Sequence, residues 1–538
     1  MPLDEATLST LKSLPTPFYD GDYGEGFLPL PIVELGVLKI MTVIRNKKDW
    51  HLKVNNPEIK AKWQTEVQGQ PLTIKDIVIH LSDEELGYIF DELRYLANIY
   101  PDYPPSGVEG TFGKDDYVPE QVHSQLLKYV EQLENVPEHK KDWHPASDNL
   151  VLDLVHPSLF CYVNERSLVL NPVSRVQPEW SNFVGSGAPV KLDFNYLWVP
   201  SEFTVLDRKT KIASYINNLH PEKYAGLYTT IASIFDLFLP LFENVLMDLA
   251  VTKKPRIEVN MYDLYSQDES EPDYDDYDLN DQSYDNAMDE WQAQRQFKDI
   301  KLPPFKLPTD PRPVVDLSNA DLQVIVKFAN IHLTPSKPTY NGGVWHIEGT
   351  ENEKICATGI YYYDVENISD SYLRFRKNVC EPSYEQNEHA GVANVYGFED
   401  NAPLNQEIGA IKIENGRCIA FPNMFQHKVE PFELLDKSKP GHRKIMCFFL
   451  VKPDQVILST ASVSPQQQSW YSEEVQKVKS RLSELPELVR MNIDKYSGWP
   501  MSLKEAKEHR LKLMEERKFY VNERNELLFE RQISLCEH

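Results

Sequence analysis

The stretch Gly342-Gly343-Val344-Trp345-His346-Ile347-Glu348-Gly349 places an imidazole and a carboxylate two residues apart, in a segment typical of the end of a β-strand. Because side chains alternate across a strand, His346 and Glu348 are expected to point to the same side. Downstream, a second histidine, His427, follows an apolar run, and Arg443 opens the last one. Two imidazoles and one carboxylate form a ligand set typical of non-haem iron sites.

A His-x-Glu pair also arises by chance in a chain with 14 histidines and 82 acidic residues. His220-Pro221-Glu222 is such a pair, but it precedes a helix-like run, and no later strand histidine accompanies it. Taken singly, His427 could be a core histidine and Arg443 a surface charge at the start of a strand. Taken together with the first pair, they indicate a metal site with an arginine beside it.

The pattern around these residues is one of short strands separated by turns. Turn residues such as Glu414-Asn415-Gly416 divide apolar or alternating runs between about residues 322 and 453. Many short antiparallel strands at this spacing predict a jelly roll, also called a double-stranded β-helix. The predicted strands cover residues 322–328, 358–363, 372–376, 408–413, 417–421 and 444–451.

The rest of the chain is mainly helical in pattern, so the predicted fold class is α+β with large N-terminal and C-terminal helical additions. Helical periodicity is clearest over residues 73–100, 121–136 and 224–249. We divide the chain into a mainly helical N-terminal region that packs on the core (1–265), an acidic and then proline-rich linker or lid (266–315), a jelly-roll catalytic core (316–455) and a C-terminal helical region (456–538).

Two features of these additions leave alternatives open. The acidic tract 266–290 has no Lys or Arg, and it is either a solvated loop or an arm that covers the mouth of a site. The charged terminal helices either brace the core or pair in a homodimer.

Composition narrows the possible partners and the compartment. Lys and Arg number 56 against 82 Asp and Glu, and the net charge of −26 disfavours binding to nucleic acid or to anionic membranes. We expect no membrane-spanning segment and no signal peptide, and therefore a soluble, cytoplasmic protein. The six cysteines lack metal-site spacing and are expected to be reduced thiols.

The motifs resemble those of a known superfamily. His346-x-Glu348, His427-x-Val429 and Gly441-x-Arg443 are similar to the His-x-Asp/Glu, distal His and Gly-x-Arg elements of Fe(II)/2-oxoglutarate-dependent oxygenases. More narrowly, the segments 345–349, 360–363 and 421–443 resemble the fungal family known as domain of unknown function 4246, over most of the chain. This resemblance implies a jelly-roll oxygenase embedded in helical additions.

The resemblance also implies cofactors and a reaction. Fe(II) would be bound by His346, Glu348 and His427, although Glu348 replaces the commoner Asp and adds one methylene. The keto-acid end of 2-oxoglutarate would chelate the iron, and Arg443 would pair with its far carboxylate. Dioxygen would then convert the cosubstrate to succinate and CO2 while a small molecule is oxidised. Candidate substrate contacts are Asn341, Tyr361, Tyr363, Arg374 and Arg376.

The family association extends to secondary metabolism, in which amino acids are tailored, for example by closing valine into an aziridine. A small amino acid is therefore a candidate substrate, and hydroxylation, desaturation and ring closure all remain open. Two other functions are also compatible with the sequence. One is a cupin-like metal enzyme that does not use 2-oxoglutarate, and the other is a non-enzymatic scaffold that binds a partner through its acidic linker and terminal helices.

Overall fold

The computed structural model describes residues 3–18, 26–69, 72–266, 272–274, 283–384, 388–477 and 500–535, together with a few positions between 484 and 498. Within these residues the chain forms a mixed α+β fold around a large antiparallel sheet. In chain order the strands are β1 (Leu72–Ile74), β2 (Ile77–Ile79), β3 (Phe112–Lys114), β4 (Val151–Val155), β5 (Tyr162–Val163), β6 (Leu168–Val169), β7 (Ala188–Pro189), β8 (Tyr196–Leu197), β9 (Ser201–Leu206), β10 (Lys209–Ile212), β11 (Ala320–Leu333), β12 (Thr339–Tyr340), β13 (Ile355–Glu366), β14 (Tyr372–Asn378), β15 (Asn405–Lys412), β16 (Cys418–Pro422), β17 (Gln426–Val429), β18 (Phe432–Glu433) and β19 (Gly441–Val451).

The large sheet has the strand order β10-β9-β11-β19-β13-β16-β3, with β4 also paired to β11. A smaller sheet, β15-β14-β17, packs against its inner face. The two sheets share one apolar cluster, in which Ile325 and Phe449 of the large sheet meet Phe375 and Ile411 of the small one. All six predicted strands of the core are confirmed, most of them longer than predicted. The space between the two sheets is where the candidate site lies.

Helices pack on the outer face of the large sheet and also on the small sheet. In chain order the helices are α1 (Glu5–Lys12), α2 (Ile32–Arg45), α3 (Trp50–Lys53), α4 (Pro57–Gln68), α5 (Asp83–Ile99), α6 (Glu120–Glu134), α7 (Trp180–Phe183), α8 (Ala225–Leu249), α9 (Ser283–Gln294), α10 (His389–Tyr396), α11 (Gln468–Lys477) and α12 (Leu503–Arg524). Helix α8 packs directly on the sheet, and a Cβ atom on Gly359 of β13 would lie 2.6 Å from Cδ1 of Phe238. Glycine at this position therefore permits the close contact between helix and sheet.

The sequence was expected to contain no segment that could span a membrane, and helix α8 corrects this expectation. It is long and apolar enough, by length and composition, to cross a membrane, and more than half of its most apolar window is buried in the fold. Its apolar character has a structural cause, because Phe235 and Phe238 lie within 5.2 and 5.3 Å of Phe448 on the sheet, measured between ring centroids.

The N-terminal region is less helical than predicted. Strands β3, β4, β9 and β10 all come from it and are hydrogen-bonded into the large sheet, so the two sides of the predicted boundary at residue 316 share one sheet. Residues 73–100 begin with the hairpin β1-β2 before α5 starts at Asp83. Ile74 and Ile77 fit a helical period, but Lys75 and Asp76 adopt positive φ and form a tight turn between the strands. The domain boundaries stay a prediction.

The acidic tract is only partly described. Its last residues form helix α9, whereas the tract was expected to be a loop or an arm. Residues 267–271 and 275–282, on which the lid alternative largely rests, lie outside the described residues. The proline-rich segment that follows has no regular helix or strand between residues 301 and 316.

Candidate metal centre

His346 and His427 are held next to each other by the main chain. The amide of His346 donates to the carbonyl of His427 at 3.2 Å, and the amide of His427 donates back at 3.0 Å. This is an isolated bridge, so the segment around His346 is an extended loop instead of the predicted end of a regular strand. Gly342 at its start has φ +88°, and a side chain there would meet the Val429 carbonyl at 2.9 Å. The two imidazole centroids lie 4.4 Å apart.

Glu348 is fixed through its backbone by Asn423. The side-chain oxygen of Asn423 accepts from the amide of Glu348 at 2.8 Å, and the side-chain nitrogen donates to the Glu348 carbonyl at 2.8 Å. The same nitrogen also donates to Ile355 at 3.0 Å. Asn423 therefore holds the backbone of Glu348 next to strand β13.

The three side chains converge as the sequence predicts. Oε1 of Glu348 lies 3.7 Å from Nε2 of His346 and 3.5 Å from Nε2 of His427. These separations are long for hydrogen bonds, but they approach the spacing of roughly 3 Å expected between neighbouring ligands of a metal bound at about 2.1 Å. Nδ1 of His346 is hydrogen-bonded to the Val344 carbonyl at 2.8 Å, so Nε2 is the nitrogen left free for a metal. The residues present fit a divalent transition metal.

The charges of the three proposed ligands are coupled to one another. Burial alone would raise the pKa of Glu348, but the imidazoles of His346 and His427 hold it well below its ordinary value. Burial, together with the neighbouring His346, lowers the pKa of His427. Burial acts against the charged form of His346 as well, but Glu348 raises its pKa above the ordinary value. Glu348 is therefore ionised and His427 is readily neutral, whereas His346 must release its proton before it can bind a metal ion.

Arg443 lies on β19 opposite Ile331 of β11 and is buried. Its Nη1 donates to Oγ of Ser371 at 3.1 Å, while its buried Nε has no hydrogen-bond partner among the described residues. Its guanidinium carbon lies 5.3 Å from the ring centroid of Phe432 and 5.8 Å from that of Tyr362. Burial lowers the pKa of Arg443. A buried guanidinium with unused donors is suited to a carboxylate ligand.

Lys327 is a second cation between the sheets, which the sequence interpretation did not single out. It lies on β11 directly opposite Cys447 of β19 and two residues from the inward-facing Ile325. Burial opposes its charge, but Glu348 is the first of several groups that raise the pKa of Lys327. Burial raises the pKa of the Cys447 thiol to about 12, and the charges of Lys327, Glu348 and Arg443 all act on it. These four side chains therefore line one interior.

A second group of potential ligands, His144, Asp153 and His156, lies on and beside β4. It differs from the first group, because His144 Nδ1 already contacts Asp153 Oδ2 at 2.7 Å and the amide of Ser158 donates to His156 Nδ1 at 3.2 Å. Burial, together with the charges of Lys327, His144 and Arg510, lowers the pKa of His156 to about 3. Nδ1 of both histidines and one oxygen of Asp153 are thus already engaged, whereas Nε2 of His346 and of His427 both face Oε1 of Glu348, so we assign the metal to the first group.

The predicted substrate residues are not brought to the three metal-binding side chains. Tyr361 and Tyr363 point to the outer face of β13, where they pack in the cluster around α8. Arg374 forms ion pairs with Glu407 and Glu430 at a partly exposed position, and Asn341 is exposed. Arg376 stacks over Trp345, with 4.8 Å from its guanidinium carbon to the ring centroid, and donates to Gln426 at 2.7 Å. Their substrate roles stay predictions.

Several residues of the interior were missed. Tyr362 faces inward together with Ile360, whereas its neighbours Tyr361 and Tyr363 were chosen. Lys327 carried a signal too, as the one charge in the apolar run 324–328. Asn423 stood in a quoted motif without a role. Ser371 gave no signal in sequence, because its partner Arg443 lies 72 residues away. The group of His144, Asp153 and His156 lies close together in sequence but was not singled out.

A cavity of about 920 Å³ lies beside this interior and shares Ile408 and Phe425 with its apolar cluster. It is lined by Phe27, Lys377 and Phe425 among others, and by none of the three proposed metal ligands.

Most of the chain matches one protein family. Residues 83–474 match the family described as "Protein of unknown function (DUF4246)", and residues 1–66 match the N-terminal domain of that family. The chain belongs to the DUF4246 family. The match covers all three proposed ligands, Arg443, Lys327 and the second histidine group. No curated protein matches the chain.

Similarity to solved structures is weak for this DUF4246 chain. An Fe(II)/(alpha)ketoglutarate-dependent dioxygenase, TqaL, is 17% identical with a TM-score of 0.16, over 27% of this chain and 46% of its own. IDO from Bacillus thuringiensis is 12% identical with a TM-score of 0.16, over 24% and 45%. A bsmA homolog from Methylobium petroleophilum PM1 is 8% identical with a TM-score of 0.24, over 62% and 82%. The chain spans less than half of the first two, and scores this low carry no argument.

Proposed function

We propose that this protein is a non-haem Fe(II)- and 2-oxoglutarate-dependent oxygenase that oxidises a small molecule. The observation that carries the proposal is the convergence of His346, Glu348 and His427 between two sheets. Three protein ligands from imidazole and carboxylate leave positions open on an octahedral metal, which suits iron that must also bind a chelating cosubstrate and dioxygen. The bound iron and cosubstrate would supply the oxidising chemistry.

The jelly-roll topology is part of this proposal. A large sheet faces a small one, and the histidines come from a loop and from β17 of the small sheet, which are the parts that a double-stranded β-helix brings together at one end. The strands added at the edge of the large sheet by the N-terminal region would then be elaborations on that core.

Arg443 would bind the far carboxylate of 2-oxoglutarate. Its Nη1 is already oriented by Ser371, and its Nε is buried without a partner, so a carboxylate would satisfy donors that otherwise cost stability. The hydroxyl of Ser371 could donate to the same carboxylate. Around this contact, Phe432 and Tyr362 exclude water and strengthen the ion pair.

The substrate in this proposal is a small molecule such as an amino acid, and the outcome is hydroxylation, desaturation or oxidative ring closure, for example to an aziridine. The net charge of −26 disfavours a nucleic-acid substrate. Homodimerisation through the terminal helices and a cytoplasmic location stay predictions.

The test is a screen for succinate. Protein reconstituted with Fe(II) without oxygen is mixed with 2-oxoglutarate, air and a panel of amino acids and related small molecules, and succinate is measured with and without each compound. We expect stimulation by at least one compound in the wild type and none in His427→Ala. Metal binding without succinate formation would favour a cupin-like enzyme, and absence of metal binding would favour a scaffold.

A further inference from the structure

Lys327 is an ammonium group without a close partner between the two sheets. Its position opposite Cys447 places it in the same row as Ile325, on the inner face of β11. Among the described residues, no side chain or backbone group makes a hydrogen bond or an ion pair with its Nζ. An ammonium has three donors and no acceptor, so none of the three donors of Lys327 is used by a described protein group.

The two carboxylates whose charges act on Lys327 already contact other side chains. Asp153, which lies on β4 opposite Ala329, contacts His144 at 2.7 Å. Glu348 points its Oε1 at the two histidines and would be neutralised further by a bound metal. Lys327 is half-buried, and its donors are satisfied at hydrogen-bond distance by neither carboxylate, so they remain available to a ligand.

The position of Lys327 points to the same interior as the metal. Its charge acts on the ligands His346 and Glu348 and also on Asp153 and His156. Arg443 is separated from it along β19, four residues from Cys447, and already has Ser371 as a partner. The interior thus offers two cations to an incoming ligand.

We propose that Lys327 is a carboxylate-binding residue of the active site. This inference rests on the proposed function and extends it. The carboxylate comes from one of two sources, either the far end of the 2-oxoacid cosubstrate, shared with Arg443, or an acidic substrate bound beside the metal. In both cases the ligand is a small carboxylic acid, and the uncharged amide of the same compound should bind poorly.

The experiment uses the full chain loaded with Fe(II) without oxygen, as wild type, Lys327→Met and Lys327→Gln. In one arm, 2-oxoglutarate and 2-oxopentanoate, which lacks the far carboxylate, are titrated by the metal-to-ligand absorption band. In the other, amino acids and their amides are added, and the change in the band is measured. Lys444→Met is the matched control, because that lysine of β19 is paired on the outer face with Glu134 and Asp364.

Loss of one charge-assisted contact should weaken binding roughly tenfold to a hundredfold. Weaker binding of 2-oxoglutarate alone, with 2-oxopentanoate unchanged, identifies the cosubstrate as the source. Unchanged 2-oxoglutarate with a lost preference for acids over amides identifies the substrate. The inference is overturned if folded, metal-loaded Lys327 variants bind every ligand as the wild type does, or if Lys444→Met shows the same losses.

Failure of the proposed function looks different. Wild-type protein that binds no 2-oxoglutarate contradicts the oxygenase proposal, and the comparison of acids with amides on the metal-loaded protein then decides the role of Lys327 alone. A wild type without any preference for acids, in protein that binds 2-oxoglutarate equally well in the Lys327 variants, overturns only the inference.

Discussion

His346 and His427 exchange backbone hydrogen bonds, each donating its amide to the carbonyl of the other at 3.2 and 3.0 Å. The spacing of their rings is therefore set by the main chain, before any metal binds. His427 is further confined by Phe421, whose ring centroid lies 4.9 Å away, and by Phe375 at 6.2 Å. A metal would bind to side chains that are already oriented. Replacing these side chains should therefore affect metal binding more than folding.

Asn423→Ala should weaken metal binding, because it removes both hydrogen bonds that hold the backbone of Glu348. Loss of a group that orients a ligand typically costs about tenfold to a hundredfold in metal affinity. The measurement is a competition titration with a chelator, accompanied by a thermal melt. Asn341→Ala, at an exposed position five residues before His346, serves as the control and should retain full affinity. Equal affinities in both variants would contradict the role of Asn423.

Arg443→Leu should weaken the binding of 2-oxoglutarate by roughly tenfold to a hundredfold, because a charge-assisted contact to the far carboxylate of the cosubstrate is lost. Ser371→Ala should have a smaller effect, since a neutral hydroxyl contributes about 1 kcal/mol. Anaerobic titration of the absorption band measures both. Metal affinity should stay unchanged in each variant, and an unaltered dissociation constant in Arg443→Leu would assign the far carboxylate to another residue.

Metal affinity should rise with pH. Glu348 is ionised across the neutral range, because its pKa lies well below the ordinary value, so it adds no pH dependence there. The pKa of His346 in the metal-free protein is raised above its ordinary value of about 6.5, so its proton competes with the metal up to and beyond that pH. Titrations between pH 6 and 8.5, roughly spanning this range, should show affinity that increases and then levels off. A flat profile in the wild type would contradict the assignment.

Asp153→Asn should destabilise the fold in a pH-dependent way. Burial alone would raise the pKa of Asp153, but His156 and His144 lower it to about 2. Because the folded pKa is depressed, this carboxylate stabilises the fold above its unfolded pKa of about 3.9, and the effect is lost as pH falls toward 2. Denaturant unfolding should show a loss of about 2 kcal/mol at pH 7 and a smaller one at pH 3. An equal loss at both values would exclude the charge as the cause.

Much of the site could be predicted because its chemistry is local in sequence. His346 and Glu348 lie two residues apart, and the pairing of His427 with them follows from the order of strands in a two-sheet fold. Helix α8 and the core strands were likewise readable from their apolar patterns. The family match over residues 83–474 agrees with the motifs on which the resemblance rested.

The rest depended on long-range pairing. Asp153 lies beside Ala329 only because β4 joins the edge of β11, and no local pattern in a five-residue strand announces such a partner. Tyr361 and Tyr363 were chosen over Tyr362 because the face of β13 that meets the site is fixed by the position of α8, which the sequence does not give. The apolar residues around Lys75 and Asp76 have a helical period, but these two residues adopt positive φ values and form the turn of a hairpin.

The central claim is tested most directly by counting metal. Protein reconstituted anaerobically with Fe(II) and desalted is measured by elemental analysis as wild type, His346→Ala, His427→Ala and His144→Ala, the last of which removes a histidine from the other potential ligand group. We predict one iron per chain in the wild type and in His144→Ala, and loss of tight binding in His346→Ala and His427→Ala. Retention of one tightly bound iron in both of those variants, or its loss in His144→Ala alone, would contradict the account.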